Sequence, residues 1–119
     1  MSEVIIVEKL ADLQLNTDKK LLDVDQQDKL MPELPQWEIC QRDAVRQLIR
    51  VFKWRNFAEA LAFANEVATL AEENNHHPAV LIEWGKATVS WWTHSLGGLH
   101  KNDFIMAARC DLLYTGHIK

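Results

Sequence analysis

The strongest constraint on this chain is an amphipathic pattern over residues 56–74 that stops in front of a proline. Asn56 is a natural helix N-cap, and the pair Asn74-Asn75 can supply a left-handed cap at the other end. Pro78 then prevents the helix from continuing. Between these limits, apolar residues recur at steps of three and four positions, the spacing of one helix face: Phe57, Ala60, Leu61, Ala64, Val67, Ala68 and Ala71. The pattern predicts one long helix followed by a loop.

Pairs of β-prone runs flank this helix on both sides. Upstream, residues 37–40 and 44–53 are separated by a short polar turn. Downstream, residues 79–84 and 87–94 are separated by Gly85-Lys86. Two runs rich in β-branched and aromatic residues around a short turn are typical of a hairpin. The sequence therefore predicts one hairpin before the long helix and another after it.

A further helix is predicted at each end of this arrangement. Asp23, with Gln26 three residues later, has the form of a capping box, and Pro32 ends the short helix that follows. Asp103 falls in the first turn of the last helix, where an acidic residue favours the positive end of the helix dipole. The order α-ββ-α-ββ-α predicts an α+β fold, in which a four-stranded antiparallel sheet has three helices packed on one face.

The length of 119 residues fits one domain. We expect residues 1–22 to form an N-terminal extension, because they are only weakly periodic, and residues 23–119 to form the single domain. The other face of the sheet is left for solvent, a ligand or a second subunit. A chain of this size buries a modest core, so we expect a homo-oligomer, either a dimer or a tetramer.

Composition excludes several classes of function. The net charge is -4 and the basic residues are scattered, so the chain lacks the basic face that nucleic-acid binding requires. No apolar run approaches the roughly 20 residues of a membrane helix. Cys40 and Cys110 are too few and too far apart for a disulfide framework, which is typical of a reducing compartment. We therefore expect a cytoplasmic protein with neither nucleic-acid nor membrane partners.

Three of the five histidines fall within nineteen residues: His76, His77 and His94. His76 and His77 precede a proline on the predicted loop, and His94 is expected to end the last strand beside Trp92. Neutral imidazole can donate or accept a proton near pH 7, so the cluster fits acid–base catalysis. Each histidine taken alone also fits a structural role. Zinc is the rival chemistry, but adjacent histidines rarely reach one ion well and no cysteine or carboxylate stands at a familiar ligand spacing, so we predict no metal site.

Several separated motifs, in this order, are together similar to the signature of the pterin-4a-carbinolamine dehydratase family. The motifs are Pro35-x-Trp37, Phe52-Lys53-Trp54-Arg55-Asn56-Phe57, Glu72-x-x-x-His76-His77-Pro78, Trp84-Gly85-Lys86, Thr93-His94 and Gly98-Leu99 with Asp103. The resemblance covers about residues 23–112. The family fold is a four-stranded antiparallel sheet backed by three helices, in agreement with the layout predicted from periodicity.

This resemblance implies a hydro-lyase that dehydrates 4a-hydroxytetrahydrobiopterin to quinonoid dihydrobiopterin without a metal or redox cofactor. It implies that His76, His77 and His94 are catalytic, with acid–base work assigned to the first and the last. It also implies that Trp37, Glu72, Pro78 and Asp103 bind or border the substrate. Each of these has an alternative: Trp37 is also expected in a core, Glu72 at a solvated helix end, and Asp103 at a helix N-terminus.

The resemblance also implies a pterin substrate and a functional link to phenylalanine hydroxylase, whose cofactor the reaction recycles. The alternative is a non-catalytic interaction protein of the same fold, such as a transcription coactivator or an assembly factor. Three positions depart from the family pattern: Asn75 and Val80, which border the histidines, and His100, which stands where a Ser or Thr often caps the last helix. We therefore expect a weakened cap at His100.

Overall fold

Four antiparallel strands form one sheet in the computed structural model, which describes residues 9–117. Their order across the sheet is β1-β2-β4-β3, so each hairpin pairs with the other through its second strand. The register places Ile39 opposite Leu48, Leu48 opposite Trp91, and Val80 opposite Val89. The strands are β1 (Glu38–Arg42), β2 (Val45–Lys53), β3 (Ala79–Glu83) and β4 (Lys86–Trp91).

Three α-helices complete the fold, and they lie on one face of the sheet. They are α1 (Val24–Leu30), α2 (Phe57–Asn74) and α3 (Lys101–His117). The helix α2 packs on β3 and β4, and α3 packs on β2 and β4. The short α1 reaches the same face through Gln27, whose side-chain oxygen accepts a hydrogen bond of 2.9 Å from Arg46 Nε. The predicted α+β fold with its α-ββ-α-ββ-α order is confirmed.

The two faces of the sheet differ in burial. Alternate residues that point to the helices are fully buried, as expected from the two-residue period of a strand: Leu48, Phe52, Ala87, Val89 and Trp91. On the opposite face, Val51 and Leu81 are exposed, whereas Gln47, Ile49 and Ser90 are buried. The helical face therefore holds the core, and the second face is open around Val51 and Leu81.

The helix ends follow the predicted caps. In α1, the Asp23 side chain accepts from the Gln26 N–H and the Gln26 side chain accepts from the Asp23 N–H, which completes the capping box. At the end of α2, Asn75 adopts the left-handed conformation, with φ 49° and ψ 41°. The Asn75 N–H then donates to the Glu72 carbonyl and the His76 N–H to the Ala71 carbonyl, as in a Schellman motif. The backbone of His76 is thereby fixed by the end of the helix.

Turns and strand ends deviate from the prediction at two places. The first hairpin turns at Asp43-Ala44, both with positive φ, instead of at residues 41–43. The strand β4 ends at Trp91, so His94 does not end a strand as predicted. Instead His94 begins a turn that is closed by the Thr93 N–H donating to the Gly98 carbonyl at 2.8 Å. The physical reason is Gly97, whose φ of 66° lets the chain reverse here.

The described part of the N-terminal extension, residues 9–22, packs against α3. Arg109 donates to the carbonyls of Ala11 and Leu13, and Asn16 and Asn102 exchange two hydrogen bonds. The domain boundary at residue 23 stays a prediction, and residues 1–8 of the extension lie outside the described residues. In the part of the chain that the structure describes, no helix combines the length and hydropathy needed to cross a bilayer.

The left-handed cap gives a stability prediction. We expect Asn75→Ala to lower the free energy of unfolding by about 1 kcal/mol, because a Cβ-bearing residue without a local polar side chain is disfavoured at positive φ. Asn75→Gly is the matched control and should change it by less than about 0.5 kcal/mol, since Gly adopts this conformation freely. Urea denaturation of the three proteins measures both values. Equal losses for Ala and Gly would contradict this account.

Candidate active site

His76 lies at the centre of the site and is held on two sides. Its Nε2 is 2.6 Å from Asp103 Oδ1, and its ring stacks parallel to the indole of Trp91, with centroids 5.6 Å apart. An ionised carboxylate only accepts hydrogen bonds, so a neutral His76 ring paired with it donates from Nε2 and keeps a lone pair at Nδ1. A histidine held in this way can accept a proton at Nδ1 without changing its orientation.

Asp103 is completely buried, with an exposed fraction of 0%. Three donors converge on its carboxylate: His76 Nε2 and Thr93 Oγ1, at 2.6 and 2.8 Å, and the His100 N–H at 2.9 Å. Burying a carboxylate costs free energy unless hydrogen bonds compensate for the lost water, and a hydrogen bond to a charged group contributes about 1.5–3 kcal/mol. Asp103 thus lies directly against His76, and its role at the site stays a prediction.

His100 immediately precedes α3 and caps it, contrary to the expected weakening. Its Nδ1 accepts from the Asn102 N–H at 3.0 Å, while its own N–H donates to Asp103. The two hydrogen bonds resemble a capping box, except that an imidazole replaces the hydroxyl and accepts from the second residue of the helix. The other ring nitrogen binds Asp18, and hydrogen bonds from the Lys20 N–H and from His100 lower the pKa of the Asp18 carboxyl. The predicted weakening was wrong because an imidazole nitrogen accepts the capping hydrogen bond here, in place of the hydroxyl oxygen of a Ser or Thr.

His94 is linked to His76 through Thr93, the residue directly before His94, and through the Asp103 carboxylate. The Thr93 hydroxyl binds the same carboxylate as His76, which draws the start of the 94–97 turn towards the end of α2. The His94 ring is exposed and stacks on Trp92, with centroids 4.3 Å apart and planes 25° apart. Among residues 9–117, neither ring nitrogen of His94 has a hydrogen-bond partner. Both are therefore free to meet a ligand.

His77 and Glu72 form a second, exposed pair at the edge of the site. His77 Nε2 contacts the Glu72 carboxylate, whose side chain is 77% exposed. The two residues meet because the chain reverses at Asn75, immediately after α2. Pro78 follows, half-buried, and leads directly into β3. This part of the site fits contact with a polar group of a ligand.

Trp37 is not brought to the histidines. It is 3% exposed, its ring packs edge-on against Phe52, and its indole N–H donates to Asp111 at 2.8 Å. Asp111 lies eight residues after Asp103 on α3, about 12 Å along the helix axis. Burial raises the pKa of the Asp111 carboxyl despite hydrogen bonds from Trp37 and Arg50. The position of Trp37 is that of the alternative expected from sequence, a core residue.

Metal-binding and thiol chemistry find little support in the described residues. Between residues 9 and 117, no three side chains of His, Cys, Asp or Glu converge as a metal ion would require. Cys110 is fully buried, and desolvation raises the pKa of its thiol to about 12. The thiol therefore stays protonated and unreactive at neutral pH.

The sequence assigned no role in the site to three supporting residues, although it placed Trp92 beside His94: Thr93, Trp92 and His100. Thr93 stood in the family motif but received no role, although strand alternation already placed it on the same face as Trp91, towards the helices. The stack between Trp92 and His94 depends on the turn at Gly97, which the sequence did not predict. Of the three residues, only Thr93 could have been placed at the site from strand alternation alone.

This arrangement can carry paired proton transfer. His76 offers a lone pair at Nδ1 and is backed by a buried negative charge, and His94 offers an exposed ring that exchanges protons with water. A base oriented by a carboxylate is a recurrent device in acid–base catalysis. The exposed pair formed by His77 and Glu72 adds polar contacts nearby.

Known proteins with similar sequences point to one family. A sequence model described as Pterin 4 alpha carbinolamine dehydratase matches residues 20–113. A Marinobacter nauticus protein that carries the name of this family is 62% identical over 85 residues, which are 71% of this chain and 77% of the relative. A Saccharophagus degradans protein of the same name is 54% identical over 99 residues, which are 83% of this chain and 88% of the relative.

Solved structures agree with this assignment. A Brucella melitensis structure titled transcriptional coactivator/pterin dehydratase has a TM-score of 0.71 at 25% identity and covers 80% of this chain and 99% of its own. A pterin dehydratase-like protein identified as a RuBisCO assembly factor in the alpha-carboxysome has a TM-score of 0.54 at 23% identity, covering 66% of this chain and 88% of its own, and it shows the fold alone. With its matched motifs, its four-stranded sheet and its three helices, this chain belongs to the pterin 4 alpha carbinolamine dehydratase family.

Proposed function

We propose that this protein is a hydro-lyase that removes water from 4a-hydroxytetrahydrobiopterin and releases quinonoid dihydrobiopterin. The observation that carries the proposal is the buried Asp103 carboxylate. It binds His76, and it also binds Thr93, the residue directly before His94. Membership of the family supports the pterin as the class of substrate. The reaction recycles the tetrahydropterin cofactor of aromatic amino-acid hydroxylases, and the proposed link to a phenylalanine hydroxylase follows from it.

The chemistry requires one proton to be delivered and one to be removed. In the substrate, C4a carries a hydroxyl group and the neighbouring N5 carries a hydrogen. The C4a–O bond breaks as the oxygen receives a proton and leaves as water, and N5 loses its proton as the C4a–N5 double bond forms. The two transfers balance, so an acid and a base suffice and no electrons are exchanged with a cofactor.

His76 is assigned to the base and His94 to the acid. His76 Nδ1 accepts the N5 proton, and the Asp103 carboxylate stabilises the imidazolium that results. His94 delivers a proton to the departing hydroxyl and recovers one from solvent, to which its ring is exposed. His77, oriented by Glu72 and by Pro78, holds the substrate. In this scheme Trp37 acts from the core, by supporting the sheet.

The first prediction concerns the reaction itself. We expect the purified protein to accelerate dehydration of synthetic 4a-hydroxytetrahydrobiopterin, followed by absorbance, in buffer that contains a chelator. His76→Ala and His94→Ala should each lower the rate at least about tenfold, the usual size of one positioned proton transfer.

His117→Ala is the matched control, because His117 is an exposed histidine at the far end of α3 that pairs with Glu66. Its rate should equal that of the wild type. A wild-type rate equal to the rate in buffer would refute the proposed function. Loss of activity on chelation with recovery on adding zinc would refute the metal-free scheme.

A second prediction concerns the carboxylate. Thr93→Val removes one of the donors to Asp103 without changing the volume, so we expect kcat to fall about tenfold, the kinetic equivalent of about 1.4 kcal/mol. Thr88→Val, within β4 and on the face that points away from the helices, should leave kcat unchanged. Thermal melts followed by circular dichroism show whether both variants remain folded. Equal kcat values for the two variants would contradict the role given to Thr93.

The alternative function is that of an interaction protein with the same fold. The Brucella melitensis structure, named as a transcriptional coactivator/pterin dehydratase, supports this alternative for the present chain. The hydrogen-bonded His76 and the unbonded ring of His94 favour the enzyme, because partner binding needs neither. The dehydration assay separates the two functions.

Self-association stays a prediction. The open face of the sheet carries Val51 and Leu81, both exposed, next to the half-buried Thr88. A second copy of the chain can bury such exposed apolar residues in a symmetric interface. We expect a dimer or tetramer in size-exclusion chromatography with light scattering, and a mass of 13.8 kDa would contradict the expectation.

A further inference from the structure

Two adjacent tryptophans at the end of β4 each stack on one histidine of the site. Trp91 is buried in the core and lies parallel to His76, and Trp92, the first residue after β4, lies against His94. Trp91 is also a central core residue with no exposed surface, whereas Trp92 is only half-buried. The role of Trp92 can therefore be separated from folding.

The His94 ring has few other restraints. It begins an exposed turn, and within residues 9–117 no hydrogen bond fixes its ring nitrogens. An unrestrained side chain loses about 1 kcal/mol of rotamer entropy when it is held in one orientation. An aromatic stack contributes about 0.5–1.5 kcal/mol beyond the area that it buries, which is enough to offset that loss.

A stack restrains a catalytic histidine differently from a hydrogen bond. A hydrogen bond occupies one ring nitrogen, as Asp103 does for His76. A stack fixes the plane of the ring through its face and leaves both nitrogens open at its edge. His94 can then receive a proton from solvent at one nitrogen and deliver a proton from the other, without rotation.

Trp92 is itself well fixed. Its indole packs against the hydrophobic core, and its chain neighbours Trp91 and Thr93 are held by the sheet and by Asp103. The backbone after it is closed by the Thr93–Gly98 bridge. The platform under His94 is therefore rigid although the turn that carries His94 is exposed.

We propose that Trp92 is a positioning residue that holds the plane of the His94 ring for proton transfer. The proposal goes one step beyond the dehydratase function and, as regards catalysis, rests on it. Its structural part, the orientation of His94 by the indole face, stands independently of which reaction the site performs.

Three variants test the proposal. Trp92→Leu keeps an apolar side chain against the core but removes the aromatic face, Trp92→Phe keeps a face, and Trp84→Leu is the control at a tryptophan that is 73% exposed in the β3–β4 turn. We expect Trp92→Leu to lower kcat at least about tenfold with KM changed less than about threefold, because positioning acts on the transition state. Trp92→Phe should retain at least about a third of the wild-type kcat, and Trp84→Leu all of it.

The second readout does not depend on activity. The imidazole C–H resonances of His94 should lie upfield in the wild-type NMR spectrum, because they sit over the indole ring. In Trp92→Leu they should move to the position of a histidine in an unstructured peptide, and in Trp84→Leu they should stay. His94→Gln identifies these resonances by their disappearance.

Each outcome decides one part of the proposal. Unchanged His94 resonances in Trp92→Leu would overturn the orienting role, whatever the activity. Resonances that move while kcat stays at the wild-type value would overturn the catalytic part. An inactive wild type refutes the dehydratase function through its own assay, and the resonances still decide whether Trp92 orients His94. If Trp92→Leu fails to fold, Trp92→Phe decides through a reduced upfield shift, and an identical spectrum would overturn the proposal.

Discussion

The buried carboxylate of Asp103 is the interaction on which the site depends. It joins three parts of the chain: the loop after α2 through His76, the segment after β4 through Thr93, and the start of α3 through the His100 N–H. A charge at this depth is tolerated only because all these donors face it. The hydrogen bonds that stabilise the carboxylate are thus the same ones that set the geometry of His76.

Three consecutive residues then position the remaining parts of the site. At the end of β4 and just after it, Trp91 stacks on His76, Trp92 stacks on His94, and Thr93 donates to Asp103. Each of these residues contacts a different member of the site, so a single extended segment fixes three positions at once. The Gly97 turn follows immediately and keeps His94 close to that segment. The precision of the site comes from regular structure even though all three of its histidines lie in loops.

Local patterns in the sequence were sufficient for the fold but only partly for the site. Helix α2 follows from its apolar spacing, and its two caps follow from Asn56 and Asn75. Both asparagines make their capping hydrogen bonds to residues only a few positions away. Hydrogen bonds across long separations, such as the one between His76 and Asp103, leave no periodic signal. The family resemblance grouped these residues, but it also grouped Trp37 with them, and Trp37 lies in the core beside Asp111. β4 ends at Trp91, earlier than predicted, because Gly97 has a positive φ and reverses the chain. The alternation of apolar and polar residues carries no signal for this turn.

Asp103 and His94 differ in what the fold requires of them. Asp103 completes the cap of α3, so a relative that has abandoned catalysis still has a structural reason to keep this aspartate. His94 caps no helix and, among residues 9–117, supports no other element through a hydrogen bond. Its loss would cost the fold little. In a comparison of members of this fold, the residue at position 94 is therefore the one that only the proposed chemistry requires, whereas the residue at position 103 serves both His76 and the start of α3.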